Sequence, residues 1–435
     1  MNNREFAKRR RALMRMMGKG GVAILPAAPA RIRNRDVEYP YRQDSDFYYL
    51  TGFAEPDAVL VLVPGREQGE CIVFCRDQDP AREAWDGKRA TPAGLIEDFG
   101  VDDAFPINDI DDILPGIVEQ CERVFYTMGA HPDFDSKLIG WVTELRSRGG
   151  GTHAPDEFIT LDHLLHDLRL FKSRSEVSAM RKSAKIAVAA HRRAMAHCQP
   201  GMNEYELEAE YIHEFRRSGV GCSYQPIVGG GINSCTLHYV QNDQPLNDGD
   251  LVLADVGCEY DYYASDVTRT WPINGRFSAE QRLIYDIVLQ AHSAAIEQVA
   301  PGKHWNEPHD AAVRVITKGL QRVGLLKGDL RLLISKQKYR KFFMHRTGHW
   351  LGMDVHDVGD YKVSDQWRLL EPGMVLTVEP GIYIPDMRGI AKKWRGIGIR
   401  IEDDVVVTRS GNEVLTRGLP VDPDEIEQLV GSAIS

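Results

Sequence analysis

The chain of 435 residues contains no apolar run approaching the ~18 residues of a membrane-spanning helix, so no membrane partner is expected. Basic residues are outnumbered, 53 Lys and Arg against 63 Asp and Glu, and the net charge of -10 argues against nucleic acid as a partner. Cysteine is sparse and unpatterned. The seven (Cys71, Cys75, Cys121, Cys198, Cys222, Cys235, Cys258) are odd in number and form no CxxC pair, which excludes the usual spacing of thiolate zinc and dithiol redox sites. Free thiols in a reducing compartment, the cytoplasm, are expected. Two further signatures stop short. "IVGGGINS" is glycine-rich, but no Gly-Lys-Ser/Thr follows to make a phosphate loop, and "HRTGH" spaces two histidines as a zincin does but has Arg346 where that motif needs glutamate. The opening "MNNREFAKRRRALMRMMGKGG" is arginine-rich, yet it contains Glu5, lacks serine and precedes no secretory apolar region. It reads as an amphipathic helix with Phe6, Leu13 and Met17 on one face.

What is present is an ordinary soluble composition, 43% hydrophobic and 27% charged, in a chain longer than the roughly 250 to 300 residues one core usually serves. Two domains are expected. From residue 21 to about 170, short apolar runs ("GVAILPA", "DAVLVLVPG", "CIVFC", "RVFYTMG") alternate with helical stretches, as in a small α/β domain. Ser173 with Glu176 three residues on is a capping box, so the division predicted is 1–172 and 173–435. The second part reads as two helices (174–198 and 203–217) and strands through "YQPIVGGG", "DLVLADVG" and "YYASDVTRTW". Two more helices follow (278–298 and 306–323), then strands in "PGMVLTVEPG" and "GIGIRIEDDVVV". The recurrence implies an internal duplication with a cleft between its halves.

Four carboxylates stand in or at the ends of these strands. Asp255 and Asp266 flank a turn that can bring them face to face, Glu379 follows "MVLTV", and Glu402 follows a strict alternation of Ile397, Ile399 and Ile401 with Gly398 and Arg400. If they converge, repulsion and desolvation demand positive charge among them. Two divalent cations would neutralise them, and carboxylate ligation with one imidazole favours Mn(II) over a thiolate zinc site. The loop "HRTGHWLGMDVHDVGD" offers His345, His349 and His356, and "SCTLHYVQND" offers His238; Gly348 and Gly352 argue against a helix in the former. Spacing alone leaves the roles of the histidines open.

Asp255, Asp266, His349, Glu379 and Glu402, in this order and spacing, resemble the ligands of the dinuclear metallopeptidases of the pita-bread fold: methionine aminopeptidase, prolidase and aminopeptidase P. The likeness to bacterial aminopeptidase P spans nearly the whole chain, from "EYPYRQDSDFYYLTGFAEPDAVLVL" through "LRLFKS", "TLHY", "GDLVLADVGCEY", "HWLGMDVHDVG" and "EPGMVLTVEPGIY" to "WRGIGIRIEDD". It implies an α/β (α+β) chain whose pita-bread catalytic domain follows a smaller α/β domain. It implies release of an N-terminal residue preceding proline by a hydroxide held between two divalent metals, most simply Mn(II). Asp255 would chelate one metal, His349 and Glu379 the other, and Asp266 and Glu402 would contact both, with Glu379 also accepting a proton. By the same resemblance, His238 and His356 line the substrate pocket, His345 stands in its wall, Tyr224 lies near the metals, and Arg400 orients ligands and substrate contacts. Asp36 and Trp85 match positions that complete a neighbouring subunit's pocket, so a homo-oligomer, dimer or tetramer, is expected. Arg346 departs from the pattern, since many relatives have glycine there. Prolidase, restricted to Xaa-Pro dipeptides, is the nearest alternative. A non-catalytic pita-bread module and a metal-free amidinohydrolase such as creatinase are disfavoured by the full ligand set.

Overall fold

The computed structural model describes residues 1–148, 151 and 153–433. The chain divides into two units, Met1–Leu168 and Arg169–Ser435.

The first unit is built on a mixed six-stranded sheet, in the order Asp103–Pro106, Cys71–Cys75, Val59–Leu62, Gly21–Pro26, Arg123–Phe125 and Glu157–Ile159. Its apolar runs, Val22 and Ile24, Val59 and Val61, Ile72 and Phe74, bury against Leu114, Val118, Leu138 and Trp141 of the covering helices. The helix Asn3–Met17 buries Phe6, Leu13 and Met17 as its spacing predicts, and also Arg9 and Arg10. Arg10 donates to the carbonyls of Leu50 (2.9 Å) and Gly100 (2.7 Å), near the C-terminal ends of two other helices. Part of the basic run is therefore structural, satisfying helix-end carbonyls that would otherwise lack donors.

The second unit begins four residues before the Ser173 cap. Arg169 reaches Asp354 (2.7 Å) and Asp357 (2.6 Å), and Lys172 reaches Asp357 (2.8 Å), which ties this segment to the loop after His349. Capping boxes at Ser173/Glu176, Asn203/Glu206 and Ser278/Gln281 start the helices Arg174–His197, Glu204–Arg217 and Ala279–Ile296. The first helix pair precedes an antiparallel sheet, Ile227–Gly230, Leu251–Asp255 and Thr268–Pro272. The second, Ala279–Ile296 with Glu307–Arg322, precedes the sheet Val375–Val378, Asp403–Thr408 and Gly411–Val414 and the pair Gly381–Ile384 with Ile397–Arg400. One core joins both rounds, with Trp271, Ile284, Val288, Leu376 and Ile399 all buried.

The run "GIGIRIEDDVVV" is not one half-exposed strand. It breaks between Arg400 and Asp403 and is buried from Ile397 to Val407, because the helix Ala279–Ile296 and the strand Thr268–Pro272 pack against it. Glu402 sits at the break, its N–H on the Thr268 carbonyl at 3.1 Å.

Candidate metal centre and substrate cavity

Asp255 is the last residue of its strand and pairs with Thr268; Asp266 lies two residues before Thr268, where the chain enters the returning strand. The chain turns back through Asp261 and Tyr262, both in left-handed backbone conformation, between the short strands Cys258–Tyr260 and Tyr263–Ala264. The turn thus brings both aspartates to one end of the sheet. Tyr224 bonds to both, at 2.7 Å from Asp266 Oδ1 and in short contact with Asp255 Oδ1. A phenol has one proton to give, so it satisfies only one carboxylate at a time.

Glu402 meets this pair from the other half of the duplication, its Oε2 accepting from Thr268 Oγ1 at 2.6 Å. Glu379 follows the strand Val375–Val378, two residues from Thr377, and β periodicity puts both on one face. The Thr377 hydroxyl lies 3.4 Å from Glu379 Oε1 and accepts from the His349 N–H at 3.1 Å.

The histidine loop passes over this face without helix or strand. Gly348 lies so close to the Thr377 carbonyl that a Cβ could not be accommodated, which explains glycine beside His349. His349 donates Nδ1–H to the Trp350 carbonyl at 2.9 Å. Its Nε2 therefore points at carboxylates, 3.2 Å from Asp266 Oδ2 and 3.7 Å from Glu379 Oε1. A neutral ring in this tautomer would set a lone pair against anionic oxygens, so a cation belongs between them, a proton or a metal. Atoms of Asp266, His349 and Glu402 lie within 4.8 Å of one another, a spacing a single ion can bridge.

The electrostatics agree. Burial, then Asp266, Glu379 and Asp255, push Glu402 well above the usual carboxylate range. Burial also raises Glu379, to about 7, against the pull of His349 and Arg400. Burial opposes charge on His349, but Asp266 and then Glu379 override it and raise it to about 9. Among the described residues the only fixed cation bonded to the carboxylates is Arg400, 4% exposed, which donates Nη2 to Asp255 Oδ2 at 2.6 Å, Nη1 to the Tyr383 hydroxyl at 2.8 Å and Nε to Thr268 Oγ1 at 3.1 Å. One guanidinium against three buried acids and the half-buried Glu379 leaves a deficit that two divalent cations fit, and the donors, mostly hard oxygens with one imidazole, suit such ions.

A cavity of about 770 Å³ opens onto this cluster, lined by all five acid and imidazole positions, by Arg400, and by His238, His345 and His356. His345 is fixed by Tyr383 OH (2.9 Å) and the Arg346 carbonyl (2.6 Å), and burial, then Arg400, lowers it to about 3, so it is neutral. His356 stacks edge-on to His349, ring centroids 4.4 Å apart, and burial, then His349, lowers its pKa. His238 is exposed and lies in a turn after the 3-10 helix Gly231–Cys235. Ten of the twelve candidate residues thus gather here, with Tyr224 beneath the carboxylates. Asp36 and Trp85 belong to the first unit and are exposed, Trp85 at 89%.

Sequence reasoning missed Thr268, Thr377 and Tyr383. The threonines each stand two residues from a candidate ligand on a strand face, a periodicity that could have flagged them; Tyr383 carries no such signal.

With this geometry in place, comparison with known proteins is decisive. Residues 178–409 match the metallopeptidase family M24, and residues 6–126 match the aminopeptidase P N-terminal domain. The chain belongs to metallopeptidase family M24. It is 45% identical to the Xaa-Pro aminopeptidase of Escherichia coli over 100% of this chain and 99% of that protein, and 41% identical to that of Haemophilus influenzae over 98% and 97%. The solved structure of Pseudomonas aeruginosa aminopeptidase PepP is 59% identical and superposes with a TM-score of 0.98, covering 100% of this chain and 99% of that one. The second unit of this M24 protein has the pita-bread fold, and its first unit is the aminopeptidase P N-terminal domain.

Proposed function

We propose that this chain is a metal-dependent aminopeptidase that releases the N-terminal residue of peptides with proline in second position. The observation that carries this reading is 45% identity over the full length to an Xaa-Pro aminopeptidase, combined with an undercompensated cluster of carboxylates on the cavity floor. Asp255, Asp266, His349, Glu379 and Glu402 would hold two divalent cations, with Mn(II) the expected ion. When bound, such a pair supplies Lewis acidity toward the scissile carbonyl and makes water nucleophilic at neutral pH.

The chain's own groups do the rest. Glu379 accepts a proton from the attacking water. His238 and His356, on the cavity wall, position the substrate carbonyl, and neutral His345 holds the wall through Tyr383. Arg400 is a positioning residue: its bonds to Asp255, Tyr383 and Thr268 fix the ligand end of the strand. Proline's nitrogen has no N–H, so the site must select it by shape, and Leu237, Trp305, Tyr361 and Trp367 provide apolar lining. Asp36 and Trp85 complete the pocket of a neighbouring copy in a homo-oligomer; Trp85 stands on a helix that buries none of its residues, which supports a contact with another chain. The protein works in the cytoplasm, consistent with seven free cysteines.

The test is hydrolysis of Xaa-Pro dipeptides and Xaa-Pro-Yaa tripeptides side by side with added Mn(II). Cleavage of the tripeptide, abolished by a chelator, is expected. Cleavage of dipeptides alone would indicate a prolidase, and activity indifferent to chelation would remove the metal from the reaction.

A further inference from the structure

The cavity is electrically two-sided. Its floor holds the buried Asp255, Asp266 and Glu402 and the half-buried Glu379, whereas its exposed rim holds Arg346 and Lys362, with Asp360 as the carboxylate there. The two rim cations converge on one indole. Arg346 Cζ lies 4.8 Å and Lys362 Nζ 4.7 Å from the centroid of the Trp367 ring. Among the described residues neither makes an ion pair or a side-chain hydrogen bond, in contrast to Arg400 on the floor. A cation–π contact uses none of the donors of a guanidinium or ammonium, so all remain available to a ligand.

The arrangement is held in place. Lys362 and Trp367 are directly paired across a hairpin, Lys362–Val363 with Gln366–Trp367, whose turn residues Ser364 and Asp365 have φ of 48° and 62°. His304 Nδ1 donates to the Trp367 carbonyl at 2.8 Å, and the Trp305 N–H donates to the Arg368 carbonyl at 2.9 Å. The ring of Tyr361, beside Lys362, stacks on Trp350 with centroids 5.6 Å apart, and Trp350 follows His349. The hairpin and the metal-side loop therefore form one packed aromatic body. Two like charges on one ring repel, and a carboxylate bound by the donors of either relieves that repulsion while gaining charge-assisted hydrogen bonds.

We propose that Arg346, Trp367 and Lys362 form a carboxylate subsite that recognises the free C-terminus of a short peptide whose N-terminal end lies at the cavity floor. The proposal rests on the aminopeptidase reading and adds to it a preference for short peptides with a free carboxylate, or with an acidic side chain in its place. It also gives Arg346, the departure from the family pattern, a role in substrate choice.

The experiment uses the full chain with Mn(II) and three Xaa-Pro tetrapeptides: a free acid, its C-terminal amide, and an amide ending in glutamate. The free acid is expected to show a KM about 5- to 10-fold below that of the amide, the size of a partly exposed charge-assisted contact. That gap should narrow as salt is added. In the double variant Arg346→Ala, Lys362→Ala the KM of the acid should rise to that of the amide. Arg346→Gln keeps a side chain in the loop and provides the same comparison if alanine disturbs the fold. A low KM for the glutamate amide would show that either carboxylate serves; a high one would assign the subsite to the chain terminus. Equal KM for acid and amide in the wild type, or a gap that survives in both variants, overturns the subsite. Failure to cleave any of the three would overturn the aminopeptidase reading itself.

Discussion

Glu402 and Asp403 share a peptide bond and face two different buried clusters. On the Asp403 side, Arg269 donates Nη2 to Asp403 Oδ1 at 2.8 Å, His292 Nε2 lies 3.1 Å from Oδ2, and the Thr416 hydroxyl adds a short hydrogen bond. Burial opposes charge on Asp403, yet Arg269 and then His292 hold its carboxyl well below the usual range. On the Glu402 side, three other acids share Arg400, and Glu402 is pushed up. Both clusters are buried and acidic. In the first, Arg269 matches Asp403 charge for charge; in the second, one guanidinium faces four acids, so the first reads as architecture and the second as a place for ligands.

Replacing a residue on each side should therefore fail differently. The largest effect belongs to Glu402→Gln, which should lower kcat/KM by about 10³-fold, since the charge stabilisation lost with a metal ligand amounts to several kcal/mol. The same substitution should raise the melting midpoint of the metal-free protein, because it removes one of four mutually repelling acids. A midpoint that falls without metal would mean the acids were not in conflict. Next in size, Arg269→Met should cost about 3–5 kcal/mol by stranding Asp403, and lower the melting midpoint by roughly 10 °C. Arg269, 0% exposed, also donates to the carbonyls of Thr268 (2.9 Å) and Glu402 (2.6 Å), so its loss should loosen the backbone that carries both clusters.

The smallest effect is a pH dependence on the Asp403 side. His191, bonded to the Val256 carbonyl and the Tyr211 hydroxyl, is lowered from 6.5 to about 3 by burial, with Arg269 adding to it. The unfolded chain takes up this proton below about 6.5, whereas the folded chain refuses it until about 3. The native state thus has its full stability from this group above pH 6.5 and loses it progressively toward pH 3. Melting midpoints from pH 7 to 4 should fall less steeply in His191→Gln than in the wild type; parallel curves would remove His191 from the account.

The contrast between the clusters also marks what the sequence could tell. Capping boxes are local, so Ser173 with Glu176 announced its helix, and the five candidate ligands stood out through their resemblance to a family. Arg269 was not legible: its partners Glu402, Asp403, Leu419 and Pro420 lie more than 130 residues away, and no short-range pattern marks a buried arginine in "DVTRTW". The burial of both faces of the "GIGIRIE" strand was not legible for the same reason. Alternation gives the faces of a strand, but whether both are covered depends on helices packed from elsewhere in the chain.

The most direct measurement is metal content by equilibrium titration of metal-stripped protein with Mn(II). Two ions per chain in the wild type, and fewer than two in Glu402→Gln, are the result expected if the undercompensated acids are a dinuclear centre. Failure of the wild type to bind any ion, or two ions retained at unchanged affinity in Glu402→Gln, would contradict it.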